Sequence, residues 1–476
     1  MLTAVLAFAL AIVTPPTHAL FPRSSDGPVD ISLIAPNRSA TGGRAWIEDA
    51  ATRLLAKYAD LLPPGAPAKK RQQAALDTTL SDWYDWMYST KVAIGTPPQD
   101  FYLRLDTATP YLWVYDEDCS TSNCTLAKAT QNLFKHNESS TYKDLQETGT
   151  VTYVSSSCSG WWGTDVVGIT NGLEGDARST QSTDTYQFVR CTSGDVTNDP
   201  TQAVGIIGMS LRRDKFPDPL WLTLSPHWPE PRFGMYFGKQ DVRDYYNMSG
   251  PLHNGGVMTL GGVNKSLFTG DIHYIPLDTT KYYAENSFFW QVPVDATVAG
   301  GVTFGKGTSI IDTGSALIMA PQTMCDAFYA NVPRVQRSGT LGYYYFPCSS
   351  ASGITDLTFT FGGVKYTVPR EELYRFEPTI SHGGTDMCSG EVMPTPPGYG
   401  GNIIIGDTFL KNVYSVYQYD PPAVGFAQLV ANGTTPVHPA SPSSPSSPGS
   451  NKPSDARRIG ASVGVMAVCA VAAVLA

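Results

Sequence analysis

Basic residues are in short supply in this chain. Its 476 residues carry 33 Lys and Arg against 42 Asp and Glu, a net charge of −9. Phosphate backbones are gripped by basic patches, so nucleic acid is excluded as a partner. The one basic triplet is Lys69-Lys70-Arg71. Familiar hydrolase signatures are missing as well. His-Glu-x-x-His does not occur, and Gly-x-Ser-x-Gly occurs only as Gly460-Ala461-Ser462-Val463-Gly464 in the apolar tail, which leaves serine-hydrolase and zinc-protease readings of the body without support. Gly300-x4-Gly305-Lys306 looks like a phosphate loop, but Gly307 stands where that loop needs a Ser or Thr. There is no Cys-x-x-Cys pair and no His pair at helical spacing, so metal binding is the poorer reading of the cysteines.

What is present points to β structure. Hydrophobic residues make up 42%, alongside 44 Gly, 36 Pro and 25 Tyr, a mixture that suits short strands between many turns. The length exceeds one compact core, so two domains plus accessory segments are expected. From Trp86 onward, short runs such as Val92-Ala93-Ile94 and Phe101-Tyr102-Leu103 lie between Gly, Pro, Asn and Ser clusters.

Both ends read as targeting and processing segments. Residues 1–19 hold an apolar run, Leu6 to Val13, closing on Thr17-His18-Ala19, the pattern of a secretory signal cut after Ala19. Residues 20–82 read as a pro-segment. They contain an amphipathic helical pattern from Trp46 to Leu62, stopped by Pro63-Pro64-Gly65, and a basic processing site near 69–71. An ordinary N-terminal helix and loop is the plain alternative. Residues 431–458 form a Pro/Ser-rich stalk, and 459–476 an apolar tail ending the chain. That tail favours a GPI-attachment signal over a single-pass anchor. Six Asn-x-Ser/Thr sequons, at Asn37, Asn123, Asn137, Asn247, Asn264 and Asn432, agree with a secretory route. Eight cysteines fit an oxidising compartment; one, Cys469, lies in the tail, so at least one of the other seven is unpaired or pairs elsewhere. Cys119 and Cys124 are close enough to close a local loop.

The chain is organised around two similar stretches. Leu105-Asp106-Thr107-Ala108-Thr109 sets an aspartate in a hydroxyl-rich turn between apolar runs, and Ile311-Asp312-Thr313-Gly314-Ser315 repeats the device 206 residues later. One such turn alone is ordinary loop chemistry. The repeat goes further, because Asp106 is followed after 102 residues by Ile206-Ile207-Gly208, and Asp312 after 94 residues by Ile404-Ile405-Gly406. In each half an apolar-apolar-Gly strand end is expected beside the aspartate loop, with Gly allowing close backbone approach.

These stretches, with Ile94-Gly95-Thr96-Pro97-Pro98-Gln99, Leu112-Trp113-Val114, Cys119-x4-Cys124, Ser139-Ser140-Thr141-Tyr142, Gly261-Gly262-Val263, Phe289-Trp290-Gln291 and Ile405-Gly406-Asp407-Thr408-Phe409-Leu410, resemble the pepsin-like aspartic proteases over residues 85–430. The resemblance implies an all-β, bilobal fold of two barrel-like lobes, 83–270 and 271–430, with a cleft between them. It implies Asp106 and Asp312 as catalytic aspartates and Thr107, Thr109, Thr313, Gly314 and Ser315 as their supports. It implies no metal and no cofactor. Val151 to Gly160 matches the family's flap hairpin, placing Tyr153 at the flap tyrosine near Trp113, and Phe289 in the cleft. It also implies the disulfides Cys119–Cys124 and Cys348–Cys388, offers Cys158 and Cys191 as a further pair, and leaves Cys325 over.

The chemistry of such a pair is general acid–base catalysis. Two carboxylates ~3 Å apart share one proton, and the aspartic proteases are the standard case of it. Three departures stand out: Ala108 where the second loop has Gly314, Val154 and Ser156 in place of flap glycines, and Phe289 where Tyr is common. An alanine at 108 is harmless at negative φ and strained at positive φ. The expected function is therefore an aspartic endopeptidase made as a zymogen and restrained by its own pro-segment. It would be a monomer acting on protein or peptide substrates, extracellular and held at the cell surface by a GPI anchor. Secreted or lysosome/vacuole-like locations are the alternatives. A pseudoprotease that binds peptide without turnover, disabled by Ala108, is the competing function; a purely structural surface glycoprotein ranks last.

Overall fold

The structure is a computed structural model. It describes residues 29–35, 88–121, 124, 133–152, 157–169, 181–194, 204–211, 217–239, 253–277, 289–338, 342–377, 385–395 and 402–430. All of these belong to one compact unit, Met1–Thr435, which contains both expected lobes. The expected signal segment, stalk and tail lie outside the described residues, as does the pro-segment apart from 29–35.

Strands dominate. Gln99–Asp106 shows why: Phe101, Leu103 and Leu105 alternate along it and are all buried, the period-two pattern of a strand with one face on a core. Thirteen strands join in one sheet. At one end the strands Lys143–Thr152, Ser157–Ile169 and Gln181–Gly194 form an antiparallel set, and at the other Val413–Gln418 lies between Arg232–Phe237 and Ala423–Leu429. First-half and second-half strands thus hydrogen-bond directly, as Ser415 pairs with Met235 and Tyr417 with Phe233. The strand Phe268–Pro276 runs through the expected lobe division at 270 and pairs with Ala423–Leu429. Val29–Ala35, within the expected pro-segment, is also a sheet strand. It pairs with His253–Leu260 along its length and touches Ser89–Ile94 at the Ile34–Ser89 pair.

The second half adds a five-stranded sheet, in the order Gln291–Val294, Gly307–Ile311, Ile403–Ile405, Ile318–Ala320 and Val392–Pro394, and two four-stranded sheets. Helices are few and short; Gln322–Tyr329 starts behind Pro321 and buries Met324, Cys325, Phe328 and Tyr329. Its spacing of buried residues is one helical face.

Between the halves lies an aromatic cluster. Trp221, Trp290, Phe233 and Tyr417 are fully buried, with Phe233 stacked on Tyr417 at 4.8 Å and Trp290 edge-on to Tyr417 at 5.3 Å. Each such side chain removes ~150–250 Å² from water, so the cluster contributes apolar burial where the two halves meet.

Among the described residues three disulfides form: Cys119–Cys124, Cys158–Cys191 and Cys348–Cys388. Cys325 is the buried free thiol. Burial pushes its acidity down, raising the thiol well above its usual range, so it is an inert core residue rather than a nucleophile.

Candidate active site

Asp106 closes its strand, Asp312 directly follows the strand Gly307–Ile311, and a later strand threads beside each. Asp106 ends Gln99–Asp106 and pairs in parallel with Gly208 of Gly205–Gly208, which then runs antiparallel to Leu112–Tyr115. In the second half Ile311 pairs in parallel with Ile405, and Ile403–Ile405 runs antiparallel to Ile318–Ala320. The two glycines do the same work. A Cβ on Gly208 would lie 2.4 Å from the Thr109 carbonyl oxygen and 2.6 Å from that of Tyr111; on Gly406 it would meet those of Ser315 and Leu317 at 2.0 and 2.5 Å. These are the third and fifth residues after each aspartate, so the expected repeat of strand end beside loop is observed, contact for contact.

The loops hold their carboxylates identically. The Ala108 N–H donates to Asp106 Oδ1 at 2.9 Å and the Thr109 hydroxyl to Oδ2 at 2.8 Å. Gly314 N–H donates to Asp312 Oδ1 at 2.9 Å, and the Ser315 hydroxyl to Oδ2. Both aspartates are buried, at 3% and 0% exposure, where two donors apiece offset the loss of water around a carboxylate. Ala108 is 3% exposed. Among the described residues only Gln146 and Arg334 are non-glycines with positive φ, so Ala108 sits in a backbone conformation that any L-residue adopts.

The loops then lock onto each other. Thr107 N–H donates to Thr313 Oγ1 at 3.1 Å, and Thr313 N–H to Thr107 Oγ1 at 2.9 Å. The Thr107 hydroxyl donates onward to the Ile311 carbonyl at 2.9 Å and that of Thr313 to the Leu105 carbonyl at 3.2 Å. Four reciprocal bonds between buried groups fix the spacing and twist of one loop against the other.

The remaining expected site residues divide. Trp113 is buried on its strand and edge-on to Tyr115 at 5.2 Å. Phe289 is 4% exposed, with its carbonyl accepting the Gln291 N–H at 2.9 Å. Tyr153, Val154 and Ser156 lie outside the described residues. The arms of their hairpin, Lys143–Thr152 and Ser157–Ile169, are antiparallel up to the Thr152–Ser157 pair, and Cys158 joins the second arm to Cys191.

Several supporting residues had no role assigned from sequence. Trp290 and Trp221 donate their indole N–H groups to the carbonyls of Met209 and Ser210, at 2.9 and 2.8 Å. Glu391 is 1% exposed, and the Thr408 hydroxyl lies 3.0 Å from its carboxylate and 2.9 Å from the Ala316 carbonyl, with one proton to give to either acceptor. Phe-Trp-Gln was a visible signal for Trp290, but nothing in a sequence marks a long-range carbonyl partner.

One cluster has the composition of a cation site: Asp116, Asp118 and His136 lie within 4.8 Å of one another. The Arg190 guanidinium already bridges Asp116 Oδ1 at 3.2 Å, Asp118 Oδ2 at 3.3 Å and Asp144 Oδ2 at 3.2 Å. A metal ion would face that positive charge, so the cluster is an internal ion network tying the base of the hairpin to its neighbours.

With two interlocked aspartate loops established, comparison with known proteins is direct. The family model "Eukaryotic aspartyl protease" matches residues 87–429. The chain is 29% identical over 426 residues to major aspartyl peptidase 1 of Cryptococcus neoformans, covering 82% of each chain. It is 30% identical over 364 residues to vacuolar protease A of Aspergillus fumigatus, covering 74% of this chain and 81% of that one. Pepsin-2B of Gadus morhua is 30% identical over 351 residues, 72% of this chain and 96% of the relative. The bilobal, mostly β architecture and the matched span agree, and the chain belongs to the eukaryotic aspartyl protease family.

Proposed function

We propose that the protein is an acid-type aspartic endopeptidase in which Asp106 and Asp312 activate one water between them. The observation that carries this reading is the reciprocal hydrogen bonding of Thr107 and Thr313, which binds the two aspartate loops together at their tips. The pair holds one proton in the resting enzyme. Its ionised member takes a proton from the water as the water oxygen bonds to the scissile carbonyl carbon. The protonated member gives its proton to the carbonyl oxygen, producing a gem-diol. Collapse of the diol breaks the C–N bond, and a proton moves from the pair to the leaving amine. Atoms balance without a covalent acyl-enzyme.

Ala108 is compatible with turnover in this reading, because its N–H makes the same bond as that of Gly314. Tyr153 would cover bound peptide as the flap tyrosine, with Trp113 and Phe289 behind it. Substrates would be unfolded protein or peptides with bulky apolar residues at the cleavage point, and the working form would be a monomer.

The same proposal includes zymogen synthesis. The strand Val29–Ala35 supports it, because seven pro-segment residues are built into the main sheet beside the mature body. Cleavage near 69–71 would release them. The signal, sequons, stalk and tail support secretion and a GPI-held cell-surface location; a vacuole-like compartment is the alternative, since matched relatives include proteins named vacuolar.

Processed protein should hydrolyse unfolded substrate at acidic pH, be blocked by a pepstatin-type inhibitor, and lose activity in Asp312→Asn. Undiminished hydrolysis by that variant would refute the assignment.

A further inference from the structure

Behind the Asp312 loop lies a carboxylate that packing does not call for. Glu391 joins the strands Met387–Gly390 and Val392–Pro394 and is almost wholly buried. Glutamate is almost never buried so completely unless it is paired, and here both oxygens are engaged. Arg375 Nε donates to Oε1 at 2.5 Å, and Oε2 lies 3.0 Å from the Thr408 hydroxyl. Methionine would fill a comparable volume, so space accounts for the length of the side chain and not for its charge.

Its neighbours belong to the second loop. The Glu391 carbonyl accepts the Ile318 N–H at 3.0 Å, where the chain leaves that loop, and its N–H donates to the Leu373 carbonyl at 3.0 Å. Thr408, also buried, follows the threading Gly406 by two residues. Its N–H donates to the Ala316 carbonyl at 3.1 Å, and its hydroxyl lies 2.9 Å from the same oxygen. The adjacent Asp407 N–H donates to the Ser315 carbonyl at 2.8 Å, and Ser315 is the residue whose hydroxyl holds Asp312 Oδ2. With the Ala316 carbonyl already served by an N–H, the carboxylate is the stronger acceptor for the one hydroxyl proton. Arg375, Glu391, Thr408 and the loop thus form a continuous line of polar contacts. The first loop is backed differently. Ser210, two residues after Gly208, donates its hydroxyl to the Leu211 carbonyl at 3.0 Å, and the carbonyls of Met209 and Ser210 take the indoles of Trp290 and Trp221. Two loops with matching internal bonds are therefore anchored by neutral indoles on one side and by an ion pair on the other.

We propose that Glu391 is a positioning residue for Asp312. Oriented by Arg375, it fixes Thr408 and, through Thr408, residues 315–316, so that the Asp312 carboxylate keeps its place in the pair. This rests on the aspartic-peptidase reading above. Loss of the anchor lets the second loop shift while the Thr107–Thr313 bonds keep the halves joined. Small displacements of a reacting group cost turnover more than they cost binding.

The test is a double-mutant cycle of Glu391→Met and Thr408→Val in the processed protein. Competent sites are counted by titration with a pepstatin-type inhibitor, so misfolded molecules drop out of kcat. Each single variant should lower kcat about tenfold and leave KM within about twofold. The double variant should be no worse than the worse single, because one contact is lost in all three. Thr408→Ser keeps the hydroxyl and should recover most of the loss. Parental kcat in both singles, or losses that multiply in the double, overturns the inference. If Glu391→Met leaves too few competent sites to assay, Thr408→Val against Thr408→Ser still decides, and equal kcat values for those two are equally fatal. A parent that binds inhibitor but cleaves nothing counts against the endopeptidase reading alone, and the cycle is then read in inhibitor affinity with the same coupling expected. A parent that fails to bind inhibitor sinks both.

Discussion

Trp290 holds both aspartate loops at once. Its indole N–H donates to the Met209 carbonyl at 2.9 Å, while its own carbonyl accepts the Ile311 N–H at 3.0 Å, one residue before Asp312. Met209 in turn donates its N–H to the Asp106 carbonyl at 2.8 Å. A single residue thus spans the halves by two backbone-directed bonds. Trp290→Phe keeps most of the ring and strands the buried Met209 carbonyl, at a cost of about 1–3 kcal/mol. A lower melting temperature, with kcat reduced more than KM is raised, is the expected outcome. A melting curve identical to the parent's would show that the indole bond is worth nothing.

Ala108 tests the boundary between enzyme and silent relative. Its φ and its N–H bond to Asp106 Oδ1 are those an alanine tolerates. Ala108→Gly should leave kcat/KM within about twofold and lower stability by roughly 0.4–1 kcal/mol, since glycine loses more chain entropy on folding. A large gain in activity would instead identify the methyl as disabling.

Glu372 makes part of the fold's stability depend on pH. Burial alone would raise its pKa, but Lys411 at 3.1 Å and Lys239 at 2.9 Å pull it down from 4.5 to about 2. Because the folded value is the lower one, the pair's contribution is full above pH 4.5 and is lost as pH falls through 2. The shift corresponds to at most about 3–4 kcal/mol. Glu372→Gln should therefore unfold at lower denaturant than the parent at pH 6, with the gap narrowing steadily toward pH 2. A gap independent of pH would rule out the ion pairs as its cause.

The Cys158–Cys191 bond closes a loop of 33 residues and ties the second hairpin arm to the strand carrying Arg190. Replacing both cysteines by alanine should cost roughly 3–4 kcal/mol on chain-entropy grounds. It should also raise KM for long peptides more than for short ones, because the loosened arm belongs to the hairpin assigned to cover them. Equal effects on both substrates would confine the bond to a structural role.

Much of this arrangement was legible beforehand. Asp106 and Asp312 announced themselves by repetition, and the Ile206-Ile207-Gly208 and Ile404-Ile405-Gly406 echoes correctly located the strand beside each loop. Cys348 with Cys388 came through the family likeness. What escaped notice were relationships made by the interlobe sheet. Trp290 stood out in its Phe-Trp-Gln motif without its partner, because hydrophobic patterning shows which side chain turns inward but not which carbonyl its polar tip will meet. Lys411 and Glu372 are 39 residues apart in a chain with no charge pattern linking them. Val29–Ala35 was assigned to a pro-segment without a strand of its own, since its main partner strand, His253–Leu260, is more than 200 residues away.

The threading glycines also set the order of assembly. Gly208 reaches the Asp106 loop only after 102 further residues, and Gly406 reaches the Asp312 loop after 94. Contacts this distant in sequence close late and slowly. A ribosome that has just delivered Asp312 has made both acids but neither the strand nor the helix that sets the second. The paired loops are therefore among the last features the chain assembles, and a nascent or truncated product ending before Gly406 would carry both aspartates without the glycine strand end that packs against the second loop.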